Sequence, residues 1–267
     1  MHDLKSIAKS CRLTALRMIY EGQAGHPGGS LSIIDILVAL YFSIMHVDPN
    51  KPHWPDRDRL ILSKGHVSAG LYSVLSHRGY FKKEVLKQYG KVNGILQCHP
   101  DMSKCPGVDF STGSLGQGLS VGVGIALGAR LLSKTFRTFV VLGDGELQEG
   151  QVWEALMLAA EHNLNNITLI IDFNGLQQTR VLNKYFRAEK IKKRIESFGW
   201  NVELMDGHSF DEISDSMGTH KTQVGPQCLI AKTTKGKGLS LSEGKLEWHM
   251  RQISDLEMHQ IESELSS

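Results

Sequence analysis

Along the first third of the chain, apolar residues recur at helical spacing over 4–20, 31–45 and 67–78, with polar or proline-containing connectors between them. Ser30 stands where an N-cap would open the second of these helices. From residue 138 the pattern changes. Short β-branched runs at 138–142, 167–171, 200–205 and 228–231 read as strands, and the stretches 151–162, 188–198 and 210–217 fill the intervals as helices. Regular alternation of this kind predicts an α/β fold with a parallel sheet and helices on both faces. A single domain is expected over 1–267, helical over about 1–135 and alternating β/α over about 136–235, with no repeat or low-complexity linker.

Composition narrows the partners. A chain of 267 residues with 41% hydrophobic content can bury a full core. Its 30 basic and 28 acidic residues leave +2, too little for a nucleic-acid footprint or a membrane-seeking surface, so any phosphate binding must be local. Asp3, Lys5, Lys9, Arg12 and Arg17 interrupt the N-terminal segment, which therefore lacks the apolar core of a secretory signal. The longest charge-free stretch, 110–129, contains six glycines and does not suit a membrane span. A cytoplasmic protein is expected, with Cys11, Cys98, Cys105 and Cys228 as reduced thiols.

Ligands of parallel sheets bind beyond the C-terminal strand ends, so chemistry should follow the strands. After the run ending at Leu142 come Gly143, Asp144 and Gly145; after the next come Asp172, Phe173, Asn174 and Gly175. The 28 residues between Gly145 and Asn174 suffice for one helix and one strand returning to the same edge. Asp144, Asn174 and a nearby main-chain carbonyl would make a half-shell of hard oxygen donors suited to Mg²⁺ or Ca²⁺, bridging a diphosphate to the protein. The N-terminus of the helix starting near Gln151 would add backbone N–H groups. Alone, Gly-Asp-Gly describes a turn with an aspartate cap; a second oxygen donor in register with it points to a metal–diphosphate site.

This order of turn, helix, strand and asparagine resembles the thiamine-diphosphate signature. Four blocks in matching order resemble the transketolase family: Gly25-His26-Pro27-Gly28-Gly29, the segment 58–66 (DRLILSKGH), the segment 112–118 (TGSLGQG) and the segment 143–150 (GDGELQEG). The resemblance covers nearly the whole chain and implies the thiamine-diphosphate-binding fold of the diphosphate (PP) type. It further implies that Asp144, Asn174 and the Leu176 carbonyl hold the metal, that Gly145 lies against the diphosphate, and that Gly113, Ser114 and Leu115 approach the cofactor through their main chain. Glu149 and Glu154 match acids near the family's subunit interface, Glu149 also on the cofactor side. His26, His66 and His99 match active-site histidines, His66 next to the cofactor as well, and His249 matches one near the diphosphate; imidazoles suit proton shuttling because their pKa lies near working pH. His2, His46, His53, His77, His162, His208, His220 and His259 match no block and receive no role. Cys98, His99 and Cys105 make an incomplete zinc set. Lys190, Lys192, Lys193 and Arg194 read as a solvated helix face, whereas Lys235 and Lys237 are candidates to flank phosphate.

The resemblance implies transfer of a two-carbon ketol unit from a ketose phosphate to an aldose, with thiamine diphosphate as the electron carrier. In the family a second, pyrimidine-binding domain supplies a glutamate and an aromatic stacking surface, and these 267 residues match only the first of three domains. The expectation is thus the N-terminal subunit of a split transketolase, active with a C-terminal subunit that carries the pyrimidine domain, two such pairs associating about a two-fold axis. A subunit of a 2-oxo acid dehydrogenase or a deoxyxylulose-phosphate synthase shares the metal site but not the histidine set. A non-catalytic regulatory binding subunit is the alternative of another class.

Overall fold

The runs at 139–142 and 167–171 are apolar at nearly every position, as strands buried on both faces require. In the computed structural model, which describes residues 3–182, 184–218 and 224–266, they form the centre of one sheet. Its strands are β1 (Arg59–Leu62), β2 (Thr138–Gly143), β3 (Ile167–Phe173), β4 (Asn201–Asp206) and β5 (Gln227–Lys232), all parallel, in the order β1-β2-β3-β5-β4.

Alternate side chains of each strand enter opposite cores. Phe139, Val141, Ile170 and Leu229 face a core closed by α1 (Leu4–Gly22), α2 (Pro27–Ser32), α3 (Ile34–Ala39), α4 (Ser68–Arg78), α8 (Phe210–Gly218) and α9 (Asp255–Ser266). Val140, Leu142, Leu169, Ile171 and Ile230 face a second core closed by α5 (Gln117–Leu131), α6 (Gly150–Glu161) and α7 (Ala188–Glu196). The α/β layering expected from the pattern is present, with every strand leaving the sheet at the same edge.

Four elements differ from the expectation. The strand β1 lies inside the stretch read as helical, because four residues are too few to separate a buried strand from a helix by periodicity. The helix α5 was hidden by its glycines, which disfavour helices yet permit close packing: a Cβ on Gly122 would stand 2.3 Å from Val140 Cγ2. The helix expected over 31–45 begins at Pro27 with His26 as N-cap, not at Ser30, since proline suits a first helical position. It breaks at Ile33 and ends in a π turn at Leu40–Ile44; the adjacent Ser32 hydroxyl turns to the Gly29 carbonyl and to Asp172. Beyond the alternating region, α9 closes the first core and ties back to α1 through Tyr20 and Asp255, 2.8 Å apart.

The edge strand β1 is pinned from the loop before α5. Asp109 accepts the Leu60 N–H at 2.7 Å and pairs with the guanidinium of Arg57, whose side chain is only 11% exposed. Asp109→Ala would strand that charge and one strand N–H, and is expected to cost about 3–5 kcal/mol. Urea denaturation checks this; a loss below about 1 kcal/mol would show the pair to be expendable.

Candidate active site

Parallel register brings Gly143 beside Asp172 and Phe173 beside Lys232, so the segments after β2, β3 and β5 leave side by side. With the segment after β1 they line a cavity of about 770 Å³ that includes His26, Lys64, His66, His99, Asp144, Asn174, Lys235 and His249. The strand-end rule therefore locates the site.

Asp172, at the end of β3, is fully buried. It accepts the Lys64 ammonium, the Ser32 hydroxyl at 2.6 Å, the Thr233 hydroxyl and, at 3.4 Å, the Asn174 amide. Burial pushes its pKa upward, but Lys64 and the hydroxyls outweigh that and hold it below the usual carboxylate value. Asp144 has no cation at ion-pair distance among the described residues, and feels Lys64 only from further away. Burial and the charge of Asp172 push it up to about 6, against the opposing N–H groups of Gly175 and Gly145.

Those two N–H groups join the predicted loops. Gly145 donates to one Asp144 oxygen at 2.7 Å, and Gly175, next to Asn174, donates to the other at 2.6 Å. Asn174 is oriented in turn: its amide nitrogen faces Asp172 and its oxygen accepts the Leu176 N–H at 3.1 Å. Asp144, Asn174 and Leu176 thus line the cavity from two adjoining loop tips. The donor set fits a hard divalent cation. Among the described residues no group of three or more His, Cys, Asp or Glu could hold a metal, so the zinc reading of Cys98, His99 and Cys105 fails.

Three histidines crowd one wall. Ring centroids lie 4.8 Å apart for His26 and His66, 5.3 Å for His26 and His249, and 5.6 Å for His66 and His249. Burial first, then neighbouring histidines and lysines, lowers His26 to about 4, His66 to about 2 and His249 to about 4. The expectation of imidazoles titrating near working pH is corrected for these three: they are neutral there. Among the described residues the Nδ1 of His26 is buried without a hydrogen-bond partner, an orphaned polar atom on the cavity wall. His99 packs under Gly113, where a Cβ would stand 2.8 Å from its ring and φ is +150°, so only glycine brings this backbone so close.

Gly113 and Leu115 line the cavity, and Ser114 between them is exposed. Glu149, the N-cap residue of α6, lies at the rim with its side chain uncommitted to capping, and Glu154 is exposed on the same helix. Lys235 is buried, its ammonium 3.4 Å from the Leu176 carbonyl, 3.2 Å from that of Gln177 and 3.0 Å from His249 Nδ1; Lys237 instead faces Glu243 at 3.4 Å. Burial and Lys64 lower Lys235 to about 8. The run 190–194 lies on α7, where Lys190 and Lys193 are exposed, as a solvated face requires. His2 and His220 lie outside the described residues.

Two charged residues escaped notice in the sequence. Lys64 follows β1, and the strand-end rule would have found it had that strand been legible. Glu146 is buried and accepts the Ser63 hydroxyl and the N–H groups of Gly116 (2.9 Å) and Gly143 (3.1 Å), tying the 113–118 loop to the end of β2. No local pattern distinguishes it from an exposed helix-start acid.

Among known proteins, residues 4–266 match the family model described as transketolase, thiamine diphosphate binding domain. The chain is 40% identical over 254 residues to a 6-deoxy-6-sulfo-D-fructose transketolase subunit of Clostridium sp. (strain MSTE9), covering 95% of this chain and 92% of that one. It is 41% identical over 242 residues to an apulose-4-phosphate transketolase subunit of Phocaeicola vulgatus, covering 89% and 85%. Human transketolase is 36% identical over 268 residues, and the match spans only 42% of its length. The crystal structure of the Campylobacter jejuni transketolase superposes with a TM-score of 0.91 at 33% identity, over 98% of this chain and 42% of that one. No helix among the described residues is long and apolar enough to cross a membrane.

The depressed pKa of His66 has a thermodynamic consequence. An unfolded chain protonates this histidine near its ordinary 6.5, whereas the folded one resists protonation down to about 2. Between those values the unfolded state holds more protons, so His66 lowers stability increasingly as pH falls below 6.5, and its contribution vanishes above that value. His66→Asn should flatten the stability–pH profile between about pH 4 and 6, by up to about 1.4 kcal/mol per pH unit. Urea titrations at several pH values measure the slope; an unaltered slope would contradict the assignment.

Proposed function

The chain belongs to the transketolase family through its thiamine diphosphate binding domain, and from that premise we propose that it is the N-terminal subunit of a two-chain transketolase. In this role it moves a two-carbon ketol unit from a ketose phosphate to an aldose acceptor. The observation that carries the reading is the Gly175 N–H bond to Asp144, which joins the two oxygen-bearing loops. Relatives of about the chain's own length, named as transketolase subunits, support the two-chain form.

Asp144, Asn174 and the Leu176 carbonyl would hold Mg²⁺ or Ca²⁺ against the diphosphate, with Gly145 and the N-terminus of α6 close by. Gly113, Ser114 and Leu115 would meet the cofactor through their backbone, and Lys235 adds a buried ammonium for its anionic tail. When bound, thiamine diphosphate supplies the electron sink needed to break a carbon–carbon bond beside a ketone. His26 and His99 would meet the sugar, and His66 and His249 the cofactor side. Being neutral, His26, His66 and His249 can donate or accept a hydrogen bond without adding positive charge beside Lys64 and Lys235. Glu149 and Glu154 would face the subunit boundary.

The reading includes a partner chain with the pyrimidine-binding domain and association of two such pairs about a two-fold axis. Leu131, Leu132, Met157 and Leu158, all exposed at or along α5 and α6, support burial of this face by further subunits. A cytoplasmic location is in keeping with the four free cysteines.

Alone, the chain should transfer no ketol groups; with its partner, thiamine diphosphate and Mg²⁺ or Ca²⁺ it should convert a ketose phosphate and an aldose without releasing carbon dioxide. Substantial transfer by the lone chain, or decarboxylation of an oxo acid, would refute the assignment. Asp144→Ala in the assembled complex should reduce transfer by at least about 100-fold, and chelator treatment should abolish it until a divalent ion is restored. Activity retained by that variant would instead mark a regulatory subunit.

A further inference from the structure

Outside the cavity, a chain of polar groups, buried at Arg12 and Asp35 and partly buried at His208 and Thr234, ends on the turn that carries Lys235. Asp35 on α3 accepts from Arg12 of α1 at 2.5 Å and contacts His208 Nδ1 at 2.7 Å, and the N–H of Thr234 donates to His208 Nε2 at 2.8 Å. The last bond decides the tautomer. A backbone N–H only donates, so Nε2 carries no proton and Nδ1–H is the donor to Asp35. The ring is a neutral relay with fixed polarity, running from Thr234 to Asp35.

Arg12 also reaches the far end of the turn, where its Nε donates to the Lys237 carbonyl at 3.0 Å. Thr234 and Lys237 are thereby both anchored to the Arg12–Asp35 pair, with Lys235 between them. The Gly236 N–H donates to the Gly28 carbonyl at 2.9 Å, and the Ser242 hydroxyl donates to the Gly236 carbonyl at 2.7 Å. The turn is held from both sides of its lysine.

Lys235 requires such support. Its ammonium contacts two main-chain carbonyls and His249 Nδ1, with no carboxylate at hydrogen-bond distance among the described residues. A buried ammonium without a counter-ion would swing toward water if its backbone were free to follow.

We propose that His208 is a positioning residue: with Arg12 and Asp35 it holds the 234–237 turn so that Lys235 presents its ammonium to the diphosphate of the cofactor. The proposal rests on the cavity being the diphosphate site, and His208 itself lies outside the cavity lining.

Calorimetric titration of the partner-bound complex with thiamine diphosphate, at fixed Mg²⁺, tests it. His208→Asn keeps a donor near the Nδ1 position and removes the acceptor of the Thr234 N–H; His208→Gln extends an amide oxygen toward the Nε2 position. The expected dissociation constant rises about tenfold for His208→Asn and less than about threefold for His208→Gln. In a Lys235→Met background, where the positioned group is gone, His208→Asn should change affinity by less than about twofold. A general structural role would weaken binding by the same factor in both backgrounds, and that outcome, or unchanged affinity in His208→Asn, would overturn the proposal. If His208→Asn does not fold, Asp35→Asn goes through the same cycle with the same outcomes. Absence of cofactor binding by the unsubstituted complex would overturn the diphosphate reading as well, whereas equal losses on a binding-competent background overturn this proposal alone.

Discussion

Lys64 and Asp172 form an ion pair almost without exposure to water, across the edge where the strands end. Taking two charges out of water costs several kcal/mol for each ion, and their attraction offsets this only if the remaining lone pairs and protons are satisfied. Asp172 meets that condition through the hydroxyls of Ser32 and Thr233 and the amide of Asn174. The partners come from α2, from the segment after β5 and from the loop after β3. Any displacement of these elements would leave a charge or a hydroxyl unpaired, so one buried carboxylate holds in place the backbone from which the loop bearing Asn174 departs.

The cavity above that pair has an uneven charge balance. Asp172 is matched by Lys64, whereas Asp144 and Lys235 are both buried and, among the described residues, neither has an opposite charge at hydrogen-bond distance. Burial moves each toward its neutral form, the carboxyl upward and the amine downward. A divalent cation at Asp144 and an anionic diphosphate near Lys235 would reverse both penalties at once. The neutral histidines belong to the same balance. Placed beside two ammonium groups in a poorly hydrated wall, an imidazolium would be repelled, and His26, His66 and His249 are held in the uncharged form.

Support for the site is spread well beyond its lining. Glu146 ties the 113–118 loop to β1 and β2, Gly122 allows α5 to press against β2, and the Arg12–Asp35–His208 chain reaches the turn after β5 from the opposite core. Glu146 and the His208 chain each satisfy main-chain donors that loops otherwise leave open. The loops lining the cavity are irregular in backbone, yet hydrogen bonds from distant elements fix them in place.

By itself the sequence determined the layered α/β architecture and the positions of Asp144 and Asn174, because strand periodicity and the turn residues that follow a strand are local properties of the chain. The histidines and the 113–115 loop came from resemblance rather than from spacing. Only the tertiary structure decided that residues 59–62 are a strand, that 117–131 is a helix despite its glycines, and that the segment after His26 divides at Ile33. It also decided which charges are buried: Lys64, Glu146, Asp172 and Lys235 carry no local mark separating them from solvated neighbours such as Lys237. Burial and ionisation depend on what distant strands and helices bring within a few ångströms, and no window of sequence contains that information.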